Sequence, residues 1–262
     1  MTQPRHIPAL RAAVSLFTIV PCGGPATIDK AIAGRMLLWL PLLGGLLGVV
    51  ASGGMLAVEA TGHGVARRLL AATVALAILG VLTGGLHLDG LADTADGLGS
   101  RKPRDQALDI MRRSDSGPMA VATMIFVLLI QLFALAALPA GWVSAIALTT
   151  ATTTGRVIVL LAAGLPSARQ EGLGALIAGA ATRRARLAAS LAPLAATLAV
   201  AVTVGGSALE WRAVASICAG LGAGALLART AELRLGGTTG DVFGALIEVA
   251  TATALLAFAL LF

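Results

Sequence analysis

Three aspartates in one short segment are the residues of this sequence that most clearly point to chemistry. Asp89, Asp93 and Asp96 stand at positions i, i+4 and i+7. On a helix this spacing places them within about 60° of one another, on one face. Carboxylates on one face repel each other where little water screens them. We predict that they bind Mg²⁺, which takes carboxylate oxygens and keeps positions open for substrate phosphates.

Other interpretations of this aspartate cluster stay open at the level of sequence. The same residues fit a solvated acidic loop, carboxylates favoured by the dipole at a helix N-terminus, or a site for a transported cation. His87 stands just before the cluster. We expect it to be a phosphate contact or a general base, and the alternative is a polar residue at the entry of the helix.

A second segment, residues 236–241 (GGTTGD), is rich in glycine and threonine. Glycines let backbone N–H groups approach an anion, and the N-terminus of a following helix favours negative charge. We therefore predict that Thr238 and Thr239 contact substrate and that Asp241 is a metal ligand or a base. Glu248, seven residues later, shares a helix face with Asp241 and is a further candidate. A plain turn followed by a helix cap gives the same pattern.

Two arginines are candidates for binding phosphate, because a guanidinium presents a planar fork to phosphate oxygens. Arg156 lies inside an otherwise uncharged segment. A charge within a membrane span normally faces the bundle interior or a cavity. Arg112 follows the aspartate cluster and is able to fold back onto it. The alternatives are an ion pair that fixes helix packing for Arg156 and a solvated loop for Arg112.

The composition indicates which elements position these residues. Of 262 residues, 57% are hydrophobic and only 12% are charged, whereas a soluble domain carries about a quarter charged residues. This excludes an ordinary soluble enzyme. We predict an all-α, polytopic bundle of transmembrane helices, formed by residues 1–262 as a single integral membrane domain in contact with lipid.

Uncharged runs of the sequence predict about seven spans. A break at 139–141 (PAG) divides one long run into two antiparallel helices. The apolar stretch 10–20 is too short to span and predicts an interfacial or re-entrant helix. The predicted spans are 36–58, 69–86, 119–138, 142–163, 187–209, 213–228 and 244–262.

Basic residues predict the orientation of these spans. Fifteen lysines and arginines fall in loops on one side and three on the other, which with Arg156 accounts for all 19. Because cytoplasmic loops carry an excess of Lys and Arg, loops 87–118 and 229–243 are predicted to face the cytoplasm. The expected location is a bacterial inner membrane, with the active site on the cytoplasmic face.

The aromatic content and the cysteines limit the kinds of partner that we expect. Aromatic residues make up 3% of the chain and tyrosine is absent, which disfavours binding of nucleic acid through aromatic stacking. Cys22 and Cys218 are single and far apart, so we predict two buried small side chains and no metal site. A homo-oligomer is compatible with the sequence.

Several motifs together resemble one family. Residues 87–97 (HLDGLADTADG) are similar to the signature of cobalamin synthase, adenosylcobinamide-GDP ribazoletransferase. Residues 237–241 (GTTGD) followed by Gly244 and Ala245 resemble its second motif. Residues 17–21 (FTIVP), residues 40–48 (LPLLGGLLG) and the pair Gly155 and Arg156 have counterparts too. One region departs: Arg113 stands where the family has an acid, and Asp115 lies two positions later.

The resemblance implies a reaction. Its substrates are adenosylcobinamide-GDP and α-ribazole or α-ribazole 5′-phosphate. The ribose 3′-hydroxyl attacks the cobinamide-side phosphorus, and GMP leaves as adenosylcobalamin or its 5′-phosphate forms. The resemblance also implies a Mg²⁺-dependent integral membrane protein. In that reaction Asp89, Asp93 and Asp96 are expected to hold Mg²⁺, while Arg156 and Arg112 contact phosphate.

Four other functions are alternatives to this one. The spacing of Asp89 and Asp93 also suits a prenyltransferase, and spaced aspartates with interleaved glycines also suit a CDP-alcohol phosphotransferase. A transporter is disfavoured because its carboxylates are expected near the bilayer midplane in paired repeats. A purely structural membrane subunit would not need the acidic cluster.

Overall fold

The chain is helical throughout the part that the computed structural model describes, residues 6–25, 27–113 and 115–262. Within these ranges the only β pairing is an isolated bridge between Ser167 and Thr238, so the all-α prediction is confirmed. The helices are α1 (His6–Phe17), α2 (Lys30–Leu38), α3 (Leu40–Glu59), α4 (Val65–Leu82), α5 (Leu86–Gly99), α6 (Arg104–Ile110), α7 (Pro118–Ala137), α8 (Trp142–Ala162), α9 (Leu173–Ile177), α10 (Arg183–Leu235) and α11 (Gly240–Leu260).

Six of the described helices are long and apolar enough to cross a membrane, namely α3, α4, α7, α8, α10 and α11. The expected break between α7 and α8 is confirmed, since α7 ends at Ala137 and α8 begins at Trp142. Gly141 turns the chain there with a φ of 95°, a conformation that costs glycine little.

Among the described residues the structure has six long helices instead of the predicted seven or so, because α10 contains two of the predicted spans. Gly206 interrupts it with φ 63° and ψ −160°. Near its start, Arg186 donates to the carbonyl of Leu160 at 3.2 Å, and Leu235 at its end packs in the same cluster as Leu160. Both ends of α10 therefore lie beside the end of α8, and the two arms are antiparallel. The arms correspond to the fifth and sixth predicted spans, but the turn lies at Gly206 rather than at 210–212.

Hydrogen bonds show that the loops group at the two ends of the bundle as the span pattern requires. At one end, Arg104 donates to the carbonyls of Leu235 and Ala168, both at 2.7 Å. At the other end, Glu59 accepts from the backbone N–H of Gly141 at 2.8 Å. We call the first the site end, because it holds α5, α6 and α9. We call the second, formed by residues 59–68 and 138–142, the far end.

The short helix α1 lies at the site end and does not span. Its buried face is made of Ala9, Ala12 and Ala13, whereas Leu10 is 38% exposed. After the helix, the N–H of residue 19 donates to the carbonyl of residue 82 at 2.8 Å, which fixes the segment beside the end of α4. The prediction of a short non-spanning helix is thus confirmed.

The burial predicted for the two cysteines is wrong. Cys218 is exposed on α10 and Cys22 is only half-buried. In a membrane bundle the outer surface of a spanning helix meets lipid, so a small apolar side chain needs no burial in protein.

Candidate active site

Helix α5 carries the aspartate cluster and begins after a sharp turn at the site end. Gly84 and Gly85 have φ values of 59° and 72°, in the left-handed region that favours glycine. They stop α4 at Leu82, four residues before the predicted end of that span, and let α5 begin at Leu86. The prediction that the three aspartates lie on one helix is confirmed.

Helix α11 crosses α5 at two glycines with almost no space between the backbones. A Cβ on Gly90 would lie 2.6 Å from the carbonyl oxygen of Asp241. A Cβ on Gly244 would lie 3.1 Å from the carbonyl oxygen of His87 and 3.2 Å from the Cα of Gly90. The crossing brings the two motifs singled out in the sequence against each other.

The carboxylates that this crossing gathers repel one another. The pKa of Asp93 is raised from 3.8 to about 6. Burial is the largest cause, followed by the negative charges of Asp89 and then Asp241, and the cation of Arg169 opposes them. Three aspartates from two helices therefore share one electrostatic environment.

Arg169 is a residue of this site that sequence reasoning counted only as a loop charge. Its Nη1 donates to Asp241 Oδ2 at 3.1 Å, and its Nη2 donates to the carbonyl of Leu108 at 3.2 Å. The Asp241 side chain is 25% exposed and that of Arg169 is 18% exposed. The ion pair holds Asp241 at the cavity edge and links α11 to the loop after α8.

The Gly/Thr segment is built as a braced turn. The backbone N–H of Thr238 donates to Pro166 at 2.9 Å, and that of Ala168 donates back to Thr238 at 2.9 Å. Gly237 lies so close that a Cβ would be 2.2 Å from the Pro166 oxygen. Thr239 accepts from the N–H of Val242 at 3.2 Å and so caps α11.

Thr238 and Thr239 are 0% and 1% exposed. The turn-and-cap interpretation of this segment is therefore correct in structural terms. Contact of either threonine with substrate stays a prediction.

Asp96 has a structural task of its own. Its two carboxylate oxygens accept from the backbone N–H groups of Gly117 and, at 2.9 Å, Ala120. It thereby caps the N-terminus of α7 from a neighbouring helix, where a negative charge is favourable. The metal role predicted for Asp96 competes with this capping and stays a prediction.

A cavity of about 190 Å³ opens beside the crossing of α5 and α11. Its polar wall is formed by His87, Asp89 and Asp241, and the remainder is apolar. Among the described residues no three His, Cys, Asp or Glu side chains are arranged to hold a metal ion by themselves. The apolar wall is Phe17, Leu40, Leu86, Val159, Leu173, Ile177, Phe243 and Ile247, with Gly90, Gly240 and Gly244 between.

Arg156 and Glu248 lie below this cavity, at a second, small one of about 30 Å³ that His87 also lines. Nη2 of Arg156 is 3.3 Å from Nδ1 of His87. Burial, and then the charge of Arg156, lower the pKa of His87 well below its usual value. Gln131, which sequence reasoning missed because an isolated glutamine carries no motif, donates to Glu248 at 2.8 Å.

Arg112 is not brought to these cavities by any described contact. It is exposed just after α6, next to Met111, which packs under Gly97 of α5. The structure thus brings Asp89, Asp93 and Asp241 together. No observed contact among the described residues links Arg112 to them, so its phosphate-binding role stays a prediction.

Comparison with known proteins identifies the family. A sequence model described as cobalamin-5-phosphate synthase matches residues 9–259. The chain belongs to the cobalamin-5-phosphate synthase family. The match contains the complete α5–α11 crossing, both cavities and every span. No solved structure matches the chain.

Several relatives carry the name adenosylcobinamide-GDP ribazoletransferase. The protein of that name from Frankia casuarinae is 39% identical over 262 residues, which cover 95% of this chain and 94% of the relative. The one from Bradyrhizobium diazoefficiens is 38% identical, covering 90% and 87% of the two chains. The one from Ectopseudomonas mendocina is 37% identical, covering 96% and 98%.

Proposed function

We propose that this protein is a Mg²⁺-dependent adenosylcobinamide-GDP ribazoletransferase. The ribose 3′-hydroxyl of α-ribazole, or of its 5′-phosphate, attacks the cobinamide-side phosphorus of adenosylcobinamide-GDP. The bond from that phosphorus to the GMP oxygen breaks, and adenosylcobalamin or its 5′-phosphate forms. The observation that carries this proposal is the electrostatically coupled cluster of Asp89, Asp93 and Asp241, of which Asp89 and Asp241 line one cavity, in a chain of this family.

The donor set fits Mg²⁺. Asp89 and Asp93 would supply hard oxygen ligands. Burial first, and then the charges of Asp89 and Asp241, raise the pKa of Asp93, and a bound cation would offset both effects. Mg²⁺ is commonly bound by one or two carboxylates together with substrate phosphates rather than by an all-protein cage. A site that needs the diphosphate to complete it agrees with the lack of a three-residue cluster among the described side chains.

We assign Asp89 and Asp93 to the metal and leave Asp96 as the cap of α7. When bound, Mg²⁺ neutralises charge on the diphosphate and on the departing GMP phosphate. Phosphoryl transfer depends mainly on positioning and charge stabilisation, so the rigid crossing at Gly90 serves the reaction by fixing the distance between helices.

Asp241 is the group that we propose to accept the proton of the attacking hydroxyl. It lies on the helix opposite the proposed metal ligands, and Arg169 and Thr239 both donate to its Oδ2. These contacts orient the carboxylate and leave Oδ1 for the substrate. A general base must lie within hydrogen-bond reach of the proton that it takes.

The size of the cavity indicates which part of the substrate enters it. A cavity of about 190 Å³ is smaller than the roughly 300–1,000 Å³ of sites that enclose drug-sized ligands, so it is too small for a corrinoid joined to a nucleotide. We therefore propose that the diphosphate arm enters beside Asp89, while the corrinoid and the guanosine extend outward at the site end.

The charge distribution supports a cytoplasmic position for the site end. Most of the described basic residues lie at the site end, in its loops, in its short helices and at the two ends of α10, whereas Arg67, Arg68 and Arg212 lie at the far end. By the positive-inside rule the site end faces the cytoplasm of a bacterial inner membrane. Direct substrate contacts by Arg112, Thr238 and Thr239 stay predictions.

The experiment is turnover by purified protein in liposomes. Adenosylcobinamide-GDP and α-ribazole 5′-phosphate are supplied with Mg²⁺ or with a chelator, and GMP and the corrinoid product are separated by chromatography. We expect equal amounts of both products, with Mg²⁺ only. Asp89→Asn should reduce the rate by about 10²-fold or more, whereas Asp105→Asn, 88% exposed at the same end of the bundle, should not. Full turnover by Asp89→Asn, or folded protein without product, contradicts the proposal.

A further inference from the structure

Four polar side chains from four helices meet beneath the candidate active site. Gln131 of α7 donates to Glu248 of α11 at 2.8 Å. Arg156 of α8 lines the same cavity as Glu248 and lies 3.3 Å from Nδ1 of His87 on α5. Gln131, Arg156 and His87 are 2%, 5% and 4% exposed. These residues connect three membrane-spanning helices to the helix that carries Asp89.

The contact between Arg156 and His87 fixes where the imidazole carries its proton. A guanidinium has N–H donors and no acceptor, so Nδ1 of His87 must be the acceptor. A neutral imidazole that accepts at Nδ1 carries its proton on Nε2. That nitrogen is buried and has no partner among the described residues. His87 therefore presents an unpaired donor in a residue that lines the active-site cavity.

We propose that Arg156 is a positioning residue that holds His87 as the Nε2–H tautomer, so that Nε2–H donates to an oxygen of the substrate's diphosphate. Arg156 then acts on the substrate through His87 and not by direct contact. The identity of the acceptor rests on the proposed function, but the tautomer does not.

Glu248 and Gln131 stabilise the charge of Arg156. A cation in the interior of a membrane bundle is costly unless an opposite charge accompanies it. Glu248 supplies that charge across the shared cavity, and its hydrogen bond from Gln131 fixes the carboxylate. The carbonyl of Thr152, 3.4 Å from Nη1, holds the other side of the guanidinium. Arg156 is thus held by the Thr152 carbonyl and by His87, and Glu248 balances its charge from across the cavity.

The tautomer is testable without substrate. The chain has three histidines, so ¹⁵N-histidine labelling of the protein in lipid nanodiscs gives few signals, and His87→Gln identifies those of residue 87. We expect the proton on Nε2 and an Nδ1 signal shifted by acceptance of a hydrogen bond. Arg156→Met should move that signal to the position of a free acceptor, and Arg156→Lys should restore part of the shift. A proton on Nδ1, or an Nδ1 signal that Arg156→Met leaves unchanged, overturns the proposal.

A pair of matched variants tests the donor in turnover. Glutamine places its amide nitrogen near the position of Nε2, whereas asparagine places it near Nδ1, facing Arg156. We expect His87→Gln to lose about tenfold in kcat and His87→Asn about 10²-fold or more, as for loss of one donor to a phosphate oxygen. Equal losses contradict a role for Nε2–H. If no variant and no wild-type protein turns over this substrate, the proposed function fails while the tautomer measurement still stands.

Discussion

Gly90 and Asp241 are packed backbone against backbone, with the Gly90 position 2.6 Å from the Asp241 carbonyl oxygen if it bore a Cβ. The obstacle is main chain, which does not move aside as a flexible side chain does. The relative position of α5 and α11 therefore depends on the missing side chain, and so does the distance between the carboxylates that they carry.

Gly90→Ala should separate these helices and lower both stability and activity. Overpacking of this kind costs about 1–3 kcal/mol, and a displacement of about 1 Å between reacting groups costs about 10²-fold in rate. Thermal unfolding in detergent and turnover at saturating substrate measure the two effects. Gly222→Ala is the control, since it is also helical and a Cβ there meets nothing within 4 Å. Equal behaviour of the two variants would refute the importance of the crossing.

Asp93→Asn should stabilise the metal-free protein while it impairs turnover. A carboxyl whose folded pKa is about 6 instead of 3.8 binds its proton more tightly in the folded state. Its charge therefore lowers stability as pH rises from about 4 to about 6, and the loss is complete above that range. The gain from Asn should be largest above pH 6 and should shrink toward pH 4.

Thermal midpoints in the presence of a chelator, at about pH 7.5 and about pH 5, measure this dependence. Asp105→Asn should show no such trend, because that side chain is 88% exposed. A larger gain for Asp93→Asn at the lower pH would reverse the sign and refute the interpretation.

Variants of Asp96 distinguish its role as a helix cap from a role as a metal ligand. Asp96→Ala removes the acceptors for Gly117 and Ala120, which should cost about 0.5–2 kcal/mol. Asp96→Asn retains one acceptor oxygen and should cost less. If Asp96 acts only as a cap, the Mg²⁺ concentration for half-maximal rate stays that of the wild type in Asp96→Asn. An increase in that concentration would show that Asp96 is a metal ligand as well.

The orientation is measurable with single cysteines. Cys22 and Cys218 are first replaced by alanine, and a cysteine is placed at His63 of the far end or at Arg101 of the site end. In intact spheroplasts, a membrane-impermeant maleimide should label His63→Cys and leave Arg101→Cys unlabelled until the membrane is opened. The reverse pattern would place the candidate active site outside the cytoplasm.

Local features of the sequence were enough to predict most of the helices. Uncharged runs, the break at 139–141 and the spacing of Asp89 and Asp93 depend on near neighbours in the chain, and each is confirmed as helix or turn. The turn at Gly206 was misplaced because the search relied on charges at 210–212, whereas the backbone bends where glycine allows a positive φ.

Contacts between distant segments could not be predicted from the sequence. The partners of Arg169 and Asp96 lie 72 and 21 residues away, and no periodicity encodes such pairings. Sequence reasoning therefore found the carboxylates but missed the groups that orient them. For the Gly/Thr segment, the sequence allowed both a substrate contact and a turn with a helix cap; the structure confirms the turn and cap, and the substrate contact stays a prediction.

The bridge between the loop after α8 and Thr238 also bears on how the protein is made. The Thr238 side chain donates to the carbonyl of Pro166, a residue that is synthesised 72 residues earlier. Until α10 has passed into the bilayer and returned, the loop has only earlier partners such as Arg104 and Leu108, and Asp241 has not been synthesised to meet α5. A nascent chain can insert its earlier spans in order, yet the carboxylates of the two helices come together only after that return. A chain that stops before α11 therefore lacks Asp241 and has an incomplete carboxylate cluster.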